Sequence, residues 1–310
     1  MAVAPVPSRE LTRSVALFLL TTLSVWSVYV VDRMPTLAWP DEGLAQNGAV
    51  FAGSLMAVLL CHEMGHFLVA RVHGFSTSPP AFIPFPLPGT FGTMGAVIRL
   101  RSLPRSREAL LEMGAAGPIA GALVAFALLL YGVPLTQPPD SLQIGETYGI
   151  FNDPLVVKLI GILTTGAAPD RYGTYHPTAM AGWVGCLLTG INLLPVGQLD
   201  GGHVFNALAP RIAPRVSRLL YLASIAAVAV YAGQVLWALS TGVAGAESPT
   251  PVTAAIFILV LRLLGGTHPL PVPEQPDVPL RARLIAALAL LLLVLTFMPF
   301  PIEIEVYQGG

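Results

Sequence analysis

Two histidines and a glutamate stand close together in one apolar segment, LLCHEMGHFLVARVHG, which covers residues 59–74. His62 and His66 are four positions apart, so on a helix they lie on one face, where both imidazoles can bind one metal ion. Glu63 follows the first histidine, and a carboxylate at that place can act as general base toward a water molecule. The spacing therefore predicts a metal site, with zinc as the preferred ion.

The alternative for these three residues is purely structural, namely a helix whose polar side chains face other helices. An ionisable residue at mid-depth in a bilayer costs roughly 2.5–3.5 kcal/mol on insertion scales. Three such residues within five positions favour metal binding over simple packing. His73 lies further along, beside the end of the apolar run, and is interpreted as an interfacial side chain.

The composition explains why depth in a bilayer matters for this chain. Its 310 residues are 54% hydrophobic and 11% charged, whereas soluble domains carry about a quarter charged residues. Several apolar runs reach roughly 17–24 residues, which is enough to cross a bilayer core. The sequence predicts an all-α polytopic membrane protein with the lipid bilayer as a partner. The net charge of −1 gives no indication of nucleic-acid binding.

Seven membrane spans are predicted, at about 14–31, 49–72, 109–132, 179–195, 216–239, 252–266 and 284–300. The positive-inside rule orients them, because alternate loops hold most of the arginines. This places the N-terminus in the cytoplasm and the C-terminus outside. The arginines predicted to face the cytoplasm are Arg9, Arg13, Arg99, Arg101, Arg105, Arg107, Arg211, Arg215, Arg218, Arg281 and Arg283.

The segments between the spans divide the chain into three parts. We predict an N-terminal span with its outer loop (1–48), a catalytic membrane core (49–215) and C-terminal spans (216–310). Within the core, residues 76–100 hold five prolines and no charge until Arg99, which predicts a re-entrant β-hairpin. The outer loop 133–178 includes a weakly apolar piece that is typical of a short interfacial or re-entrant helix. Residues 267–281 are read as a proline-rich cytoplasmic linker.

A third metal ligand is predicted in GINLLPVGQLDGGHVF, residues 190–205. Pro195 and Gly197 break the fourth span, so the residues from Asn192 to His203 are expected to form irregular backbone that is buried or lines a cavity. Asp200 is the preferred ligand, with a helix-capping aspartate as the alternative. Asn192 is either a hydrogen-bond donor to the substrate or an interhelical amide. His203 is interpreted as a packing residue near the site.

These motifs together resemble the site-2 protease family of intramembrane zinc metallopeptidases. The family pattern Asn-x-x-Pro-x-x-x-Leu-Asp-Gly fits residues 192–201 without gaps, and HPTAMAGWVGCLLTGINLLPVGQLDGGH (176–203) is similar to the cyanobacterial and plant-plastid branch. The resemblance implies that His62, His66 and Asp200 bind Zn²⁺ and that Glu63 activates water. It also implies substrates that are membrane-spanning helices. The 133–178 loop is too short for the PDZ domain that many relatives carry.

The sequence therefore predicts an integral-membrane zinc endopeptidase that hydrolyses single-span helices, which must unwind first. The hairpin edge is expected either to pair with the extended substrate or merely to plug the site. An inactive scaffold and a zinc transporter are the alternative functions. We predict a bacterial cytoplasmic membrane, with the active site in its cytoplasmic half. The glycines at 114, 117 and 121 are interpreted as helix-packing positions around the core.

Overall fold

The computed structural model describes residues 7–32, 43–87, 89–102, 106–137, 144–145, 147–170, 172–241, 278–299 and 301–306. Within these ranges the chain is mostly helical. Three helices are long and apolar enough to cross a membrane, and they start at Ser8, Leu44 and Arg107. The predicted sixth span (252–266) and most of the predicted linker lie outside the described residues.

The helices follow the apolar runs of the sequence and start or end within a few residues of the predicted spans. The first helix begins with a polar turn before its apolar run, and Ser106 caps the helix that begins at Arg107, because its side chain accepts a hydrogen bond from the Ala109 N–H. The helices are α1 (Ser8–Asp32), α2 (Leu44–Val72), α3 (Arg107–Gly132), α4 (Leu155–Thr165), α5 (Pro177–Asn192), α6 (Asp200–Leu208), α7 (Ala213–Thr241) and α8 (Leu280–Thr296).

A core of three helices, α2, α3 and α5, contains the largest buried side chains. Trp183 of α5 is fully buried and packs edge-on against Phe151, with the ring centroids 5.0 Å apart. Its indole N–H also donates to the Asn152 carbonyl at 3.1 Å. The core therefore extends from helix α2 to the loop that precedes α4.

The predicted hairpin is present as two antiparallel strands, β1 (Ala81–Pro84) and β2 (Thr93–Val97). It packs on α1, where the Ser24 hydroxyl donates to the Gly92 carbonyl at 2.6 Å and accepts from the Phe85 N–H at 3.2 Å. Gly92 has φ +77°, and a Cβ there would lie 2.5 Å from the Val25 Cα, so glycine is required at this contact. Both strands lie within residues 76–100, where the hairpin was predicted.

A second two-stranded sheet was not predicted, and it makes the all-α expectation incomplete. β3 (Thr147–Phe151), within the segment 133–178, pairs antiparallel with β4 (Ile302–Val306), which follows α8. The alternation of isoleucine and glutamate in IEIEV is typical of a strand with one buried face. Its partner lies about 150 residues away, and no local pattern predicts that pairing.

The prediction of irregular backbone from Asn192 to His203 is partly wrong. Asn192 is the last residue of α5, and helix resumes at Asp200, so the interruption covers only 193–199. The helix resumes at Asp200 because the segment after Pro195 contains no further proline up to Leu208, so residues 200–208 (DGGHVFNAL) can form two helical turns. His203 consequently lies on α6.

Candidate metal centre

The buried face of helix α2 positions the His-Glu-x-x-His residues as predicted. His62, Glu63 and His66 are 6%, 7% and 6% exposed, and they lie near the C-terminal end of the helix. Ordinary helical spacing is sufficient to direct both imidazoles to the same neighbour. The two rings meet edge-on, with their centroids 4.9 Å apart.

Three ligand atoms from two distant parts of the chain come together at this face. His62 Nε2 and His66 Nε2 are 3.2 Å apart, and each lies 3.2 Å from Asp200 Oδ2. Zinc bonds of about 2.0–2.1 Å in a tetrahedron place ligand atoms roughly 3.3 Å apart. Two nitrogens and one carboxylate oxygen are also a ligand set that zinc accepts while leaving one position open. The three residues therefore fit a zinc ion.

The backbone of α3 sets the tautomer of one ligand. His66 Nδ1 lies 2.7 Å from the Met113 carbonyl oxygen, which can only accept a hydrogen bond. Nδ1 therefore carries the proton, and Nε2 keeps its lone pair for a metal. Hydrogen bonds of this kind orient metal-ligating histidines and raise their basicity.

Asp200 reaches the histidines because the chain turns sharply between α5 and α6. Gly197 has φ +52° in this turn, in the left-handed region that favours glycine. Gly201 packs against the preceding backbone, since a Cβ there would lie 1.9 Å from the Leu193 carbonyl oxygen. Asp200 is the first residue of α6, and its carboxylate points to the histidines. The capping alternative does not describe it.

Glycines on α3 let the histidine rings approach that helix. A Cβ at Gly117 would lie 2.0 Å from His66 Nε2, and one at Gly121 would lie 3.1 Å from the His62 Cβ. Gly65 on α2 serves the same contact from the other side, because a Cβ there would lie 2.4 Å from the Ala116 carbonyl oxygen. The packing role predicted for the glycines at 117 and 121 is confirmed, and their neighbours are the proposed ligands themselves.

Asn192 and His203 occupy different places at the edge of the centre. Asn192 Nδ2 lies 3.4 Å from His62 Nε2, so its amide faces the ligand atoms. His203 is not part of the three-residue group that could hold a metal among the described residues. Its ring Nδ1 is buried with no hydrogen-bond partner within the described part of the chain.

Sequence reasoning missed the Met113 carbonyl as a partner of the centre. Every residue has a backbone carbonyl, so no pattern of side chains predicts which carbonyl accepts a hydrogen bond from a ligand histidine. The sequence also indicates no role for Glu112, whose buried carboxylate lies 3.0 Å from His73 Nε2.

Comparisons with known proteins place these residues in context. The family model described as Peptidase family M50 matches residues 50–233. "Probable zinc metalloprotease EGY2, chloroplastic" of Oryza sativa subsp. indica is 35% identical over 180 residues, which are 57% of this chain and 32% of that protein. The Arabidopsis thaliana protein of the same name is 31% identical over 216 residues, 68% of this chain and 38% of its own length.

The resemblance to the site-2 protease family and its plant-plastid branch is thereby confirmed. The chain spans about a third of the length of these curated relatives. Among solved structures, "Site-2 Protease from Methanocaldococcus jannaschii" matches with 15% identity and a TM-score of 0.39, covering 83% of this chain and 93% of that one.

Proposed function

This chain belongs to peptidase family M50, and from that premise we propose that it is an intramembrane zinc endopeptidase that cuts membrane-spanning helices. The observation that carries the proposal is the convergence of His62, His66 and Asp200, whose ligand atoms are all 3.2 Å apart. Relatives that share the matched region are called zinc metalloproteases.

The residues of the centre divide the chemistry among them. His62, His66 and Asp200 would hold the zinc ion, with His66 fixed in its tautomer by Met113. When bound, zinc supplies Lewis-acid chemistry, because it polarises a carbonyl and lowers the pKa of water toward neutrality. Glu63 takes a proton from the attacking water and passes it to the leaving amine. Asn192 donates to the carbonyl oxygen of the scissile bond, whose negative charge grows during attack.

The hairpin offers the extended backbone that an unwound substrate needs. β2 pairs with β1 on one side only, and in the described chain no other strand pairs with its second edge. Met94 and Val97 on this strand are about half exposed. A substrate strand added to this edge would have its peptide groups hydrogen-bonded while it is out of its helix. This supports the hairpin as a substrate edge rather than a plug.

The pairing of β3 with β4 requires an even number of membrane crossings between the two strands, with which the seven-span prediction agrees. β3 follows the third predicted span and β4 follows the seventh, so four predicted spans lie between them. Four crossings return the chain to the side from which it started, as a shared sheet requires. The sixth of the seven spans lies outside the described residues.

The positions of the helix ends support the proposed orientation. The metal centre lies near the end of α2, close to the start of α3 and just after the end of α5, which is one end of the core. Arg281, at the start of α8, contacts Glu112 at that same end. By the positive-inside rule we place this end in the cytoplasmic half of the bilayer. The bacterial location stays a prediction, since the relatives named above are called chloroplastic.

The test is cleavage by purified protein in detergent, using a panel of single-span substrates and comparing wild type with Glu63→Gln. We expect wild type to cut at least one substrate and Glu63→Gln to be slower by about 10²–10⁴-fold, the usual contribution of a general base. Both proteins should bind one zinc. Glu10→Gln, which changes an exposed carboxylate on α1, is the matched control and should retain cleavage.

Two outcomes contradict the proposal. If wild type binds zinc but cuts none of the panel, a scaffold or a transporter describes the chain better. If wild type and Glu63→Gln cut equally, the activity does not come from this centre.

A further inference from the structure

A buried carboxylate joins three helix ends close to the metal centre. Glu112 on α3 is 5% exposed, and its Oε2 lies 3.0 Å from His73 Nε2, just past the end of α2. Arg281, in the first turn of α8, donates from Nη2 to the same oxygen at 3.3 Å. Its Nε also lies 3.3 Å from Oε1, as an ion pair without hydrogen-bond geometry. We call Glu112, His73 and Arg281 the clasp.

The clasp is one residue away from the atom that orients a proposed zinc ligand. Met113 follows Glu112 directly, and its carbonyl accepts the hydrogen bond from His66 Nδ1 at 2.7 Å. A helical carbonyl can shift when the turn that carries it moves. Anchoring Glu112 to α2 and α8 therefore limits where that carbonyl can lie.

Helix α3 is weakened at this turn. Pro118 has no N–H, so the Gly114 carbonyl lacks its usual hydrogen bond from four residues later. The turn with Met113 and Gly114 is thus held by fewer helical hydrogen bonds than the rest of α3. An external anchor has most effect at such a place.

We propose that Glu112 is a positioning residue for zinc binding. Through His73 and Arg281 it fixes the first turns of α3, and through the Met113 carbonyl it holds His66 with Nε2 directed at the metal. The inference rests on the proposed zinc site at His62, His66 and Asp200. Through Glu112, the end of α2 and the start of α8 therefore also contribute to metal affinity.

Burial makes the clasp sensitive to loss of any member. A buried carboxylate that loses an ion-pair or hydrogen-bond partner is costly, so the remaining groups must rearrange. Arg281 is 75% exposed in its side chain, so replacing it leaves little unfilled volume. Arg281→Met is accordingly the variant least able to disturb folding.

The experiment measures zinc affinity by chelator competition on purified full-length protein in detergent. The variants are Glu112→Gln, Glu112→Ala, His73→Gln and Arg281→Met, with Glu10→Gln as the matched control. Glu10 pairs with Arg101 at the surface, and neither residue adjoins a carbonyl that binds a ligand histidine. We expect Glu112→Ala to lose about 10–100-fold in zinc affinity, as groups that hold metal ligands typically do. The other clasp variants should lose less, in the same direction.

A second readout separates positioning from general stabilisation. The visible spectrum of the cobalt-substituted protein reports ligand geometry, and the melting temperature of the metal-free protein reports stability. We expect Glu112→Gln to alter the cobalt spectrum, whereas Glu10→Gln leaves it unchanged.

The proposal is overturned if the folded Glu112 variants bind zinc as tightly as wild type, even when their metal-free melting temperature falls. Should the Glu112 variants not fold, wild-type zinc affinity in both His73→Gln and Arg281→Met overturns it instead. If zinc also binds unchanged to Asp200→Asn, the proposed ligand set has failed, which is a separate result.

Discussion

Gly117 packs directly against the ring of a proposed ligand, His66. A methyl group there would lie 2.0 Å from His66 Nε2, so Gly117→Ala forces the ring away from the position it shares with Asp200. We expect zinc affinity to fall at least about tenfold, as when other supports of a metal ligand are removed. Chelator competition on the purified variant measures this.

Gly53→Ala is the control for that substitution. Gly53 lies on α2 with nothing within 4 Å of a built Cβ, so alanine is accommodated and zinc affinity should stay at the wild-type value. Equal affinity in Gly117→Ala and wild type would mean that the ring can move without affecting the metal.

Asp153, outside the membrane-spanning segments, gives a pH dependence of stability. Burial raises the pKa of its carboxyl to about 6, against the hydrogen bond from Tyr175 and the charge of Lys158, which lower it. A raised folded pKa means that the folded state favours the proton. The stability that the protonated Asp153 carboxyl contributes to the fold is fully present below the unfolded pKa near 4. This contribution is lost as pH rises through the folded pKa of about 6.

Asp153→Asn should therefore gain stability over wild type as pH increases from 5 to 8. The whole effect is about 3 kcal/mol for roughly two pKa units, and about 1.4 kcal/mol of it falls between pH 5 and pH 8, because pH 5 is already above the unfolded pKa. The Tyr175 hydroxyl can still donate to the asparagine oxygen. Melting temperatures at several pH values measure the effect, with the exposed Asp170→Asn as the comparison. The prediction is contradicted if the melting temperatures of Asp153→Asn and wild type differ by the same amount at pH 5 and at pH 8.

At the residue scale, the sequence was most informative for side chains whose chemical role follows from their type and spacing. The spacing of His62 and His66 and the broken span before Asp200 were sufficient to predict three ligands that the structure brings together. The sequence did not predict the Met113 carbonyl, because backbone acceptors are the same in every residue. It predicted close packing at Gly117 without indicating that a ligand ring is the neighbour.

At the scale of elements, Ser24 attaches the hairpin to α1. Ser24→Ala removes the hydroxyl that donates to the Gly92 carbonyl, whereas the Phe85 N–H keeps its hydrogen bond to that same carbonyl at 3.0 Å. We expect a loss of about 0.5–1.5 kcal/mol, the net contribution of an ordinary hydrogen bond. We expect faster proteolysis in the hairpin and a higher KM for substrates, with zinc affinity unchanged. Limited proteolysis and steady-state kinetics measure these effects.

Ser27→Ala provides the matched comparison on the same helix. The Ser27 hydroxyl donates only to the Ser24 carbonyl, within α1, so its loss should not free the hairpin. If Ser24→Ala and Ser27→Ala behave alike, α1 does not hold the hairpin in the way described.

The elements that the sequence predicted well are those with a local cause. Apolar runs located α2 and α3 to within a few residues, and prolines with glycines located the hairpin. The sequence did not predict the sheet of β3 and β4, because each strand is short and its partner strand is distant in the sequence. Helix α6 was missed because the same prolines and glycines that end α5 obscured the two turns that follow.

At the scale of the whole molecule, metal binding should connect parts of the chain that lie far apart in sequence. His66 and Asp200 are separated by 134 positions, so a bound ion acts as a cross-link between α2 and α6. Zinc at 100 times its dissociation constant should stabilise the folded state by about 2.7 kcal/mol. Melting temperature with and without a chelator measures this.

Asp200→Asn tests whether that stabilisation comes from the centre. The amide is a far weaker zinc ligand than a carboxylate, so zinc should raise the melting temperature of this variant much less than that of wild type. An equal rise in both proteins would place the stabilising metal elsewhere.

The pairing of β3 with β4 has a consequence for biosynthesis. A ribosome adds roughly 5–20 residues per second, so β4 emerges about 10–30 s after β3. The proposed ligands are complete by residue 200, well before that. During the interval all three proposed ligands are already synthesised, while the edge of β3 that later pairs with β4 has no partner strand.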